Sequence, residues 1–146
     1  MKKKILVVDD EFNSRTLMAQ ILQDEGNSVD TAKNGISALK TLENESFDVL
    51  ITNIRMPIMD GIELFHKVKE LYPHMPVILF TDYGTIEAAV KALKEGAFYY
   101  LEKPVNSDLL KHTVKQALDI QEIETEISNL RKQLEKKKSD KSLSQV

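Results

Sequence analysis

The sequence predicts an α/β fold: a doubly wound, five-stranded parallel sheet with strand order 2-1-3-4-5 and an extended helix at the carboxyl end. Three observations carry this. Short apolar runs alternate along the chain with longer amphipathic segments, the signature of strands and crossover helices. Three of those runs, Lys4–Val8, Val49–Thr52 and Val77–Phe80, lack polar alternation, as strands covered on both faces do. The intervening segments are helical in pattern, and right-handed crossovers then select that strand order.

Taken in order, Ile5-Leu6-Val7-Val8 forms the first strand, and Arg15–Glu25 sets Leu17, Met18, Ile21 and Leu22 on one helical stripe closed by Gly26. Ser28–Thr31 is the second strand, followed by a short helix over Ile36–Asn44 with Ala38, Leu39 and Leu42 inward. After the third strand, Val49–Thr52, the helix Gly61–Leu71 offers Ile62, Leu64, Phe65 and Val68 and stops before Pro73. Val77–Phe80 is the fourth strand. Thr85 can cap the next helix, which carries Ala88, Ala89, Ala92 and Leu93 and closes at Gly96, and Tyr99–Leu101 completes the sheet.

The last helix starts near Ser107 or Asp108 and meets no breaker until about Ser139. Its later apolar positions are Ile120, Ile123, Ile127, Leu130 and Leu134, a heptad seam with Ile120, Ile127 and Leu134 at a and the other two at d. Glu126 and Arg131 can pair between parallel chains, whereas Asp119 and Glu124 repel. About two heptads support either a short homodimeric coiled coil or an exposed linker helix. The predicted division is therefore a domain over residues 1–120, a helical linker over 121–138 and a disordered, lysine-rich tail over 139–146.

A chain of 146 residues suits one compact domain with something left over. Its net charge of −3 offers no global basic field to nucleic acid or an anionic membrane. With no cysteine, disulfides and cysteine metal sites are excluded. The opening Met1-Lys2-Lys3-Lys4 and the short run Ile5–Val8 give way to Asp9-Asp10-Glu11, too soon for a signal peptide. The expectation is a soluble, cytoplasmic protein without direct nucleic-acid or membrane contact.

Chemistry gathers at the strand ends. Asp9-Asp10 follows the first strand, Asn53 the third, Thr81 the fourth, and Lys103-Pro104 the fifth. Ligands of an open parallel sheet bind beyond these carboxyl ends, at the switch in strand order. Adjacent acidic groups repel unless a cation joins them, and an oxygen-only set suits a hard ion such as Mg2+. A hydroxyl and an ammonium opposite are what a phosphoryl group's oxygens need. Singly, the Asp pair could cap a helix, Thr81 could close a turn and Lys103 could lie on the surface. Their joint placement is specific.

Ile5-Leu6-Val7-Val8-Asp9-Asp10-Glu11, Asn53-Ile54-Arg55-Met56-Pro57-Ile58-Met59-Asp60-Gly61, Thr81 and Lys103-Pro104 resemble the receiver domain of two-component response regulators, over about residues 3–120. Tyr83–Ala97 looks like the nitrogen-regulator class, whose receivers usually precede an ATPase that activates sigma-54 RNA polymerase, often through a dimerising helical linker. The resemblance implies a flavodoxin-like sheet, a histidine kinase as phosphodonor, ATPase and DNA-binding output domains as partners, and no enzyme activity of its own. It implies that Asp9 and Asp10 form the acidic pocket, with Asp10 the direct Mg2+ ligand. The backbone carbonyl of Arg55 is a further ligand, and residue 53 is the phospho-acceptor. Thr81 and Lys103 hold the phosphoryl group, the Lys103-Pro104 peptide is cis, and Tyr100, three residues before Lys103, is the switch aromatic. The helix after Thr85, the fifth strand and the final helix form the output surface. Asp82 departs from the family's small residue there, and either crowds the pocket entry or points to solvent.

The other departure is Asn53, where the pattern has aspartate. A carboxamide cannot attack phosphorus, because its lone pair is delocalised and an acyl phosphate needs an oxygen nucleophile. Its oxygen can still meet a metal as a neutral ligand. The lost charge is worth roughly 4 kcal/mol at about 4 Å and an effective dielectric near 20, partly offset by water and by relief of carboxylate repulsion. The expectation is a receiver that accepts no phosphate, binds Mg2+ weakly and stays inactive. Intact Asp9, Asp10, Thr81, Lys103 and Tyr100 favour a replacement made in a competent receiver, carried on an excised regulatory fragment. The alternative is an atypical receiver acting as a phosphorylation-independent, dimerising interaction module. A Mg2+-dependent phosphatase with Asp9 as nucleophile fits Asp60-Gly61, Thr81 and Lys103-Pro104 less well and would need a cap domain.

Overall fold

The strand order is β2-β1-β3-β4-β5, with every neighbouring pair parallel. The computed structural model of the chain describes residues 2–144. The strands are β1 (Lys4–Val8), β2 (Ser28–Ala32), β3 (Val49–Asn53), β4 (Val77–Thr81) and β5 (Tyr99–Glu102). The helices are α1 (Phe12–Asp24), α2 (Gly35–Asn44), α3 (Gly61–Leu71), α4 (Ile86–Lys94) and α5 (Ser107–Ser144), with a 3-10 turn over Tyr83–Thr85 before α4. This is the doubly wound arrangement expected from the alternating pattern.

The central strands are apolar throughout because both their faces are covered. Leu6, Val8, Leu50 and Leu79 pack against α2, α3 and α4 through Ala38, Leu42, Leu64, Phe65, Val68, Ala89 and Ala92. Ile5, Val7, Val49, Ile51, Ile78 and Phe80 face the other way, onto Met18 and Leu22 of α1 and Leu110, Val114 and Ala117 of α5. The period-two alternation of strand side chains thus fills two cores from one sheet. Fully burying such a side chain stabilises by about 1.5–3 kcal/mol, which is what holds the strand ends in place.

Strands two to five each extend one residue beyond the predicted end, so that Asn53 and Thr81 lie within the sheet. The register pairs Val8 with Thr52, Asn53 with Phe80 and Thr81 with Glu102, bringing the site positions level at one edge. Gly26 and Gly96, at φ 92° and 112°, close α1 and α4 in the left-handed region that glycine adopts at least cost. Two expectations are corrected. Leu17 is 51% exposed, since the inward stripe of α1 is Met18, Ala19 and Leu22. The chain also continues as helix to Ser144 where a disordered tail was expected from residue 139. No Pro or Gly interrupts that stretch, so nothing local ends the helix. Residues 145–146 of the expected tail lie outside the described residues.

Candidate functional site at the strand ends

Asp9 leaves β1 fully buried, and such a carboxylate needs partners on every side. Its Oδ1 accepts from the Glu11 backbone N–H at 3.0 Å, and its Oδ2 accepts from Lys103 Nζ at 3.1 Å. Its backbone is fixed as well: the N–H donates to the Ala32 carbonyl at 3.1 Å, and the carbonyl accepts from Arg15 Nη1 at 2.7 Å. Asp10, one residue on, is exposed and aims its carboxylate across to β3. Lys103 reaches inward to Asp9, and its backbone N–H donates to the Thr81 carbonyl at 2.9 Å; its peptide bond to Pro104 is cis.

Asn53 ends β3 and is 8% exposed. Its Nδ2 donates to the Arg55 carbonyl at 2.8 Å and lies 3.5 Å from Asp10 Oδ1. The amide thus presents its nitrogen, rather than its oxygen, to the expected metal ligands. Behind it, α3 begins so close to the strand end that a Cβ on Gly61 would lie 2.1 Å from the Asn53 carbonyl oxygen. Asp60 caps α3 by accepting from the Glu63 N–H at 2.9 Å. The Asp60-Gly61 pair therefore does two jobs: it starts the helix and lets it approach residue 53.

Thr81 is buried at the end of β4, and its hydroxyl is engaged with the next loop. Oγ1 donates to the Asp82 carbonyl at 3.0 Å and meets the Thr85 hydroxyl in a short contact. Asp82 neither obstructs the pocket freely nor points idly to solvent. It caps the 3-10 turn, accepting from Gly84 N–H at 3.0 Å, and pairs with Arg55 through Nε at 3.1 Å and Nη2 at 3.3 Å. The Arg55 guanidinium, followed by the Gly84 N–H bond, holds the Asp82 carboxyl below the usual carboxylate range. The side chain of Arg55 thus ties the β3–α3 loop to the β4–α4 loop, while its carbonyl serves the pocket. Tyr100 is half-buried against the α4 side of the core, beside Tyr99 with ring centroids 5.8 Å apart.

Sequence reasoning missed Arg15 and Thr85 as members of this network. Asp82-Tyr83-Gly84-Thr85 carries a capping-box spacing that signals Thr85, whose hydroxyl serves Asp82 and Thr81 in place of capping α4. Nothing in the helical pattern of α1 marks Arg15. The oxygens of Asp9, Asp10 and the Arg55 carbonyl suit a hard divalent cation, and in this structure nitrogen donors answer each of them. The donor chemistry therefore fits Mg2+.

The model of the response regulator receiver domain matches residues 5–115, a span that contains every one of these groups. The chain belongs to this receiver family. Among curated relatives of the receiver, the transcriptional regulatory protein ZraR of Klebsiella oxytoca is 41% identical over 114 residues, 78% of this chain and 26% of that protein. The chain thus spans about a quarter of the length of that relative. Among solved structures, a response regulator receiver domain protein from Clostridium thermocellum is 36% identical, with a TM-score of 0.79 over 83% of this chain and 98% of that one. NtrX from Brucella abortus is also 36% identical, with a TM-score of 0.84 over 89% of this chain and 30% of that one. Among the described residues of the receiver, no helix is long and apolar enough to cross a membrane.

Proposed function

We propose that this receiver is the regulatory switch of a sigma-54-dependent transcription activator, and that Asn53 holds it inactive. The carrying observation is the carboxamide of Asn53 at the focus of an otherwise complete site. In a competent receiver, the residue at 53 takes a phosphoryl group in line from the phosphohistidine of a kinase, with positioning and charge neutralisation supplying most of the catalysis. Asp9, Asp10 and the Arg55 carbonyl would hold Mg2+, whose charge screens the entering phosphoryl oxygens. Lys103 keeps Asp9 paired until its ammonium turns to the phosphoryl group. Thr81 must leave the Thr85 hydroxyl to hydrogen-bond it, and Tyr100 follows into the space vacated. With no phosphate at residue 53, nothing offsets the intrinsic preference for the resting state, and that state persists.

Mass spectrometry after acetyl phosphate and Mg2+ tests this. We expect no adduct on this chain and a hydroxylamine-labile adduct at residue 53 in Asn53→Asp. An acyl-type adduct at residue 53 of the unaltered chain would overturn the reading.

A second reading is a phosphorylation-independent module that dimerises through α5. It is favoured by the row Ile120, Ile123, Ile127, Leu130 and Leu134, every member of which is exposed. Such a seam on a long helix is stabilised when a second copy covers it. Dimerisation by itself is compatible with the first reading, since a linker can hold two silent receivers together.

A further inference from the structure

We infer that the side-chain nitrogen of Asn53 acts as a built-in substitute for the divalent cation, closing the acidic pocket and competing with Mg2+ for the same oxygens. The inference rests on Asp10 and the Arg55 carbonyl being metal ligands, as the proposed function has them, but phosphorylation plays no part in it.

Three oxygen centres converge at the strand ends, and each is answered by a nitrogen. Asp9 receives Lys103 Nζ at 3.1 Å and the Glu11 N–H at 3.0 Å. The Arg55 carbonyl receives Asn53 Nδ2 at 2.8 Å, and the same nitrogen lies 3.5 Å from Asp10 Oδ1, at the outer limit of a hydrogen bond but within electrostatic reach. The amide orientation follows from its neighbours. Turned over, Asn53 would set its oxygen against the Arg55 carbonyl and the Asp10 carboxylate, acceptor against acceptor, with little water at an 8% exposed residue to relieve it.

Aspartate has the opposite effect at this position. Both its oxygens are acceptors, so the Arg55 carbonyl and the Asp10 carboxylate would face further negative charge that a cation relieves. Asparagine satisfies those groups from within the protein. To bind, Mg2+ must expel the NH2 group from the Arg55 carbonyl and gains only a neutral oxygen in exchange. Asn53 is therefore a competitor for the site as well as a poorer ligand. The same bond ties the end of β3 to the β3–α3 loop.

Asn53→Ala separates competition from simple loss of charge: alanine and asparagine both lack the carboxylate, and alanine gives up the amide oxygen along with the NH2 group, so tighter binding can come only from removing the donor. In Mg2+ titrations followed by the backbone amide signals of Asp10 and Arg55, we expect Asn53→Ala to bind on the order of fivefold more tightly than the unaltered chain, the worth of one neutral hydrogen bond. Equal or weaker binding by Asn53→Ala would show that Asn53 is only a weak ligand and would overturn the inference. The unaltered chain supplies an independent reading should the alanine variant not fold. Its Asn53 side-chain NH2 resonances should shift and exchange faster with solvent as Mg2+ is added. Their staying fixed while Asp10 responds would equally sink the idea.

Discussion

Asn53 differs from aspartate by one nitrogen, and that atom has two separable effects. It places a donor between the Arg55 carbonyl and the Asp10 carboxylate, and in the function proposed above it also removes the nucleophile. Two further residues lie in the loops that follow β3 and β4. Ile58 sits at φ 73° in the β3–α3 loop, where the Met59 N–H donates to the Pro57 carbonyl at 2.8 Å. A β-branched residue is strained in that region, and Ile58 is 85% exposed, so it recovers almost nothing by burial. Ile58→Asn should stabilise the fold by about 0.5–1 kcal/mol, read as a higher urea midpoint with an unchanged slope. An unchanged midpoint would mean that the turn carries no strain. Asp82 supplies a pH test. Its folded-state carboxyl titrates below its unfolded value, chiefly through Arg55, so its contribution is present above the unfolded value and disappears as pH falls through the folded one. The stability gap between this chain and Asp82→Asn should therefore be constant near neutrality and shrink on acidification. A gap independent of pH would exclude the ion pair as its source.

Elements present these residues, and their ends matter more than their middles. The start of α3 is set by Asp60, whose carboxylate accepts from the Glu63 N–H. Asp60→Ala should cost about 1 kcal/mol of stability in urea unfolding, the usual worth of a lost N-cap. No loss would mean that water replaces the cap. The loop between β4 and α4 closes on itself through Asp82, Gly84 and Thr85, and it draws in the Thr81 hydroxyl. The resting position of Thr81 is therefore a property of the whole turn, held from across the site by Arg55. The extent of each strand was legible to within a residue from its apolar run. The residue that escaped each estimate for β3 and β4 was polar, Asn53 or Thr81, because backbone pairing continues where hydrophobicity stops.

At the scale of the molecule, α5 joins two roles in one helix. Leu110, Val114 and Ala117 close the core, and beyond them Ile120, Ile123, Ile127, Leu130 and Leu134 remain exposed. If a second copy covers this row, sedimentation should show a concentration-dependent dimer that Ile127→Lys abolishes without changing the circular dichroism of the folded domain. A chain that stays monomeric at high micromolar concentration would remove the dimer. Lys3 Nζ, 3.7 Å from Glu122, is an ion pair between the start of the chain and this extension, too exposed to fix its direction alone.

The apolar runs and their helical partners sufficed for the sheet and its order, since strands buried on both faces leave an unmistakable pattern and crossovers have one hand. The strand-end residues were equally legible, because each lies where such a run stops. Tertiary structure decided what they touch. Which way the Asn53 amide turns, that Asp82 reaches Arg55, and that Thr81 rests on Thr85 depend on hydrogen bonds across separate loops. A local pattern holds no record of such partners, because the acceptors meet the donors only after the sheet has brought its carboxyl ends level.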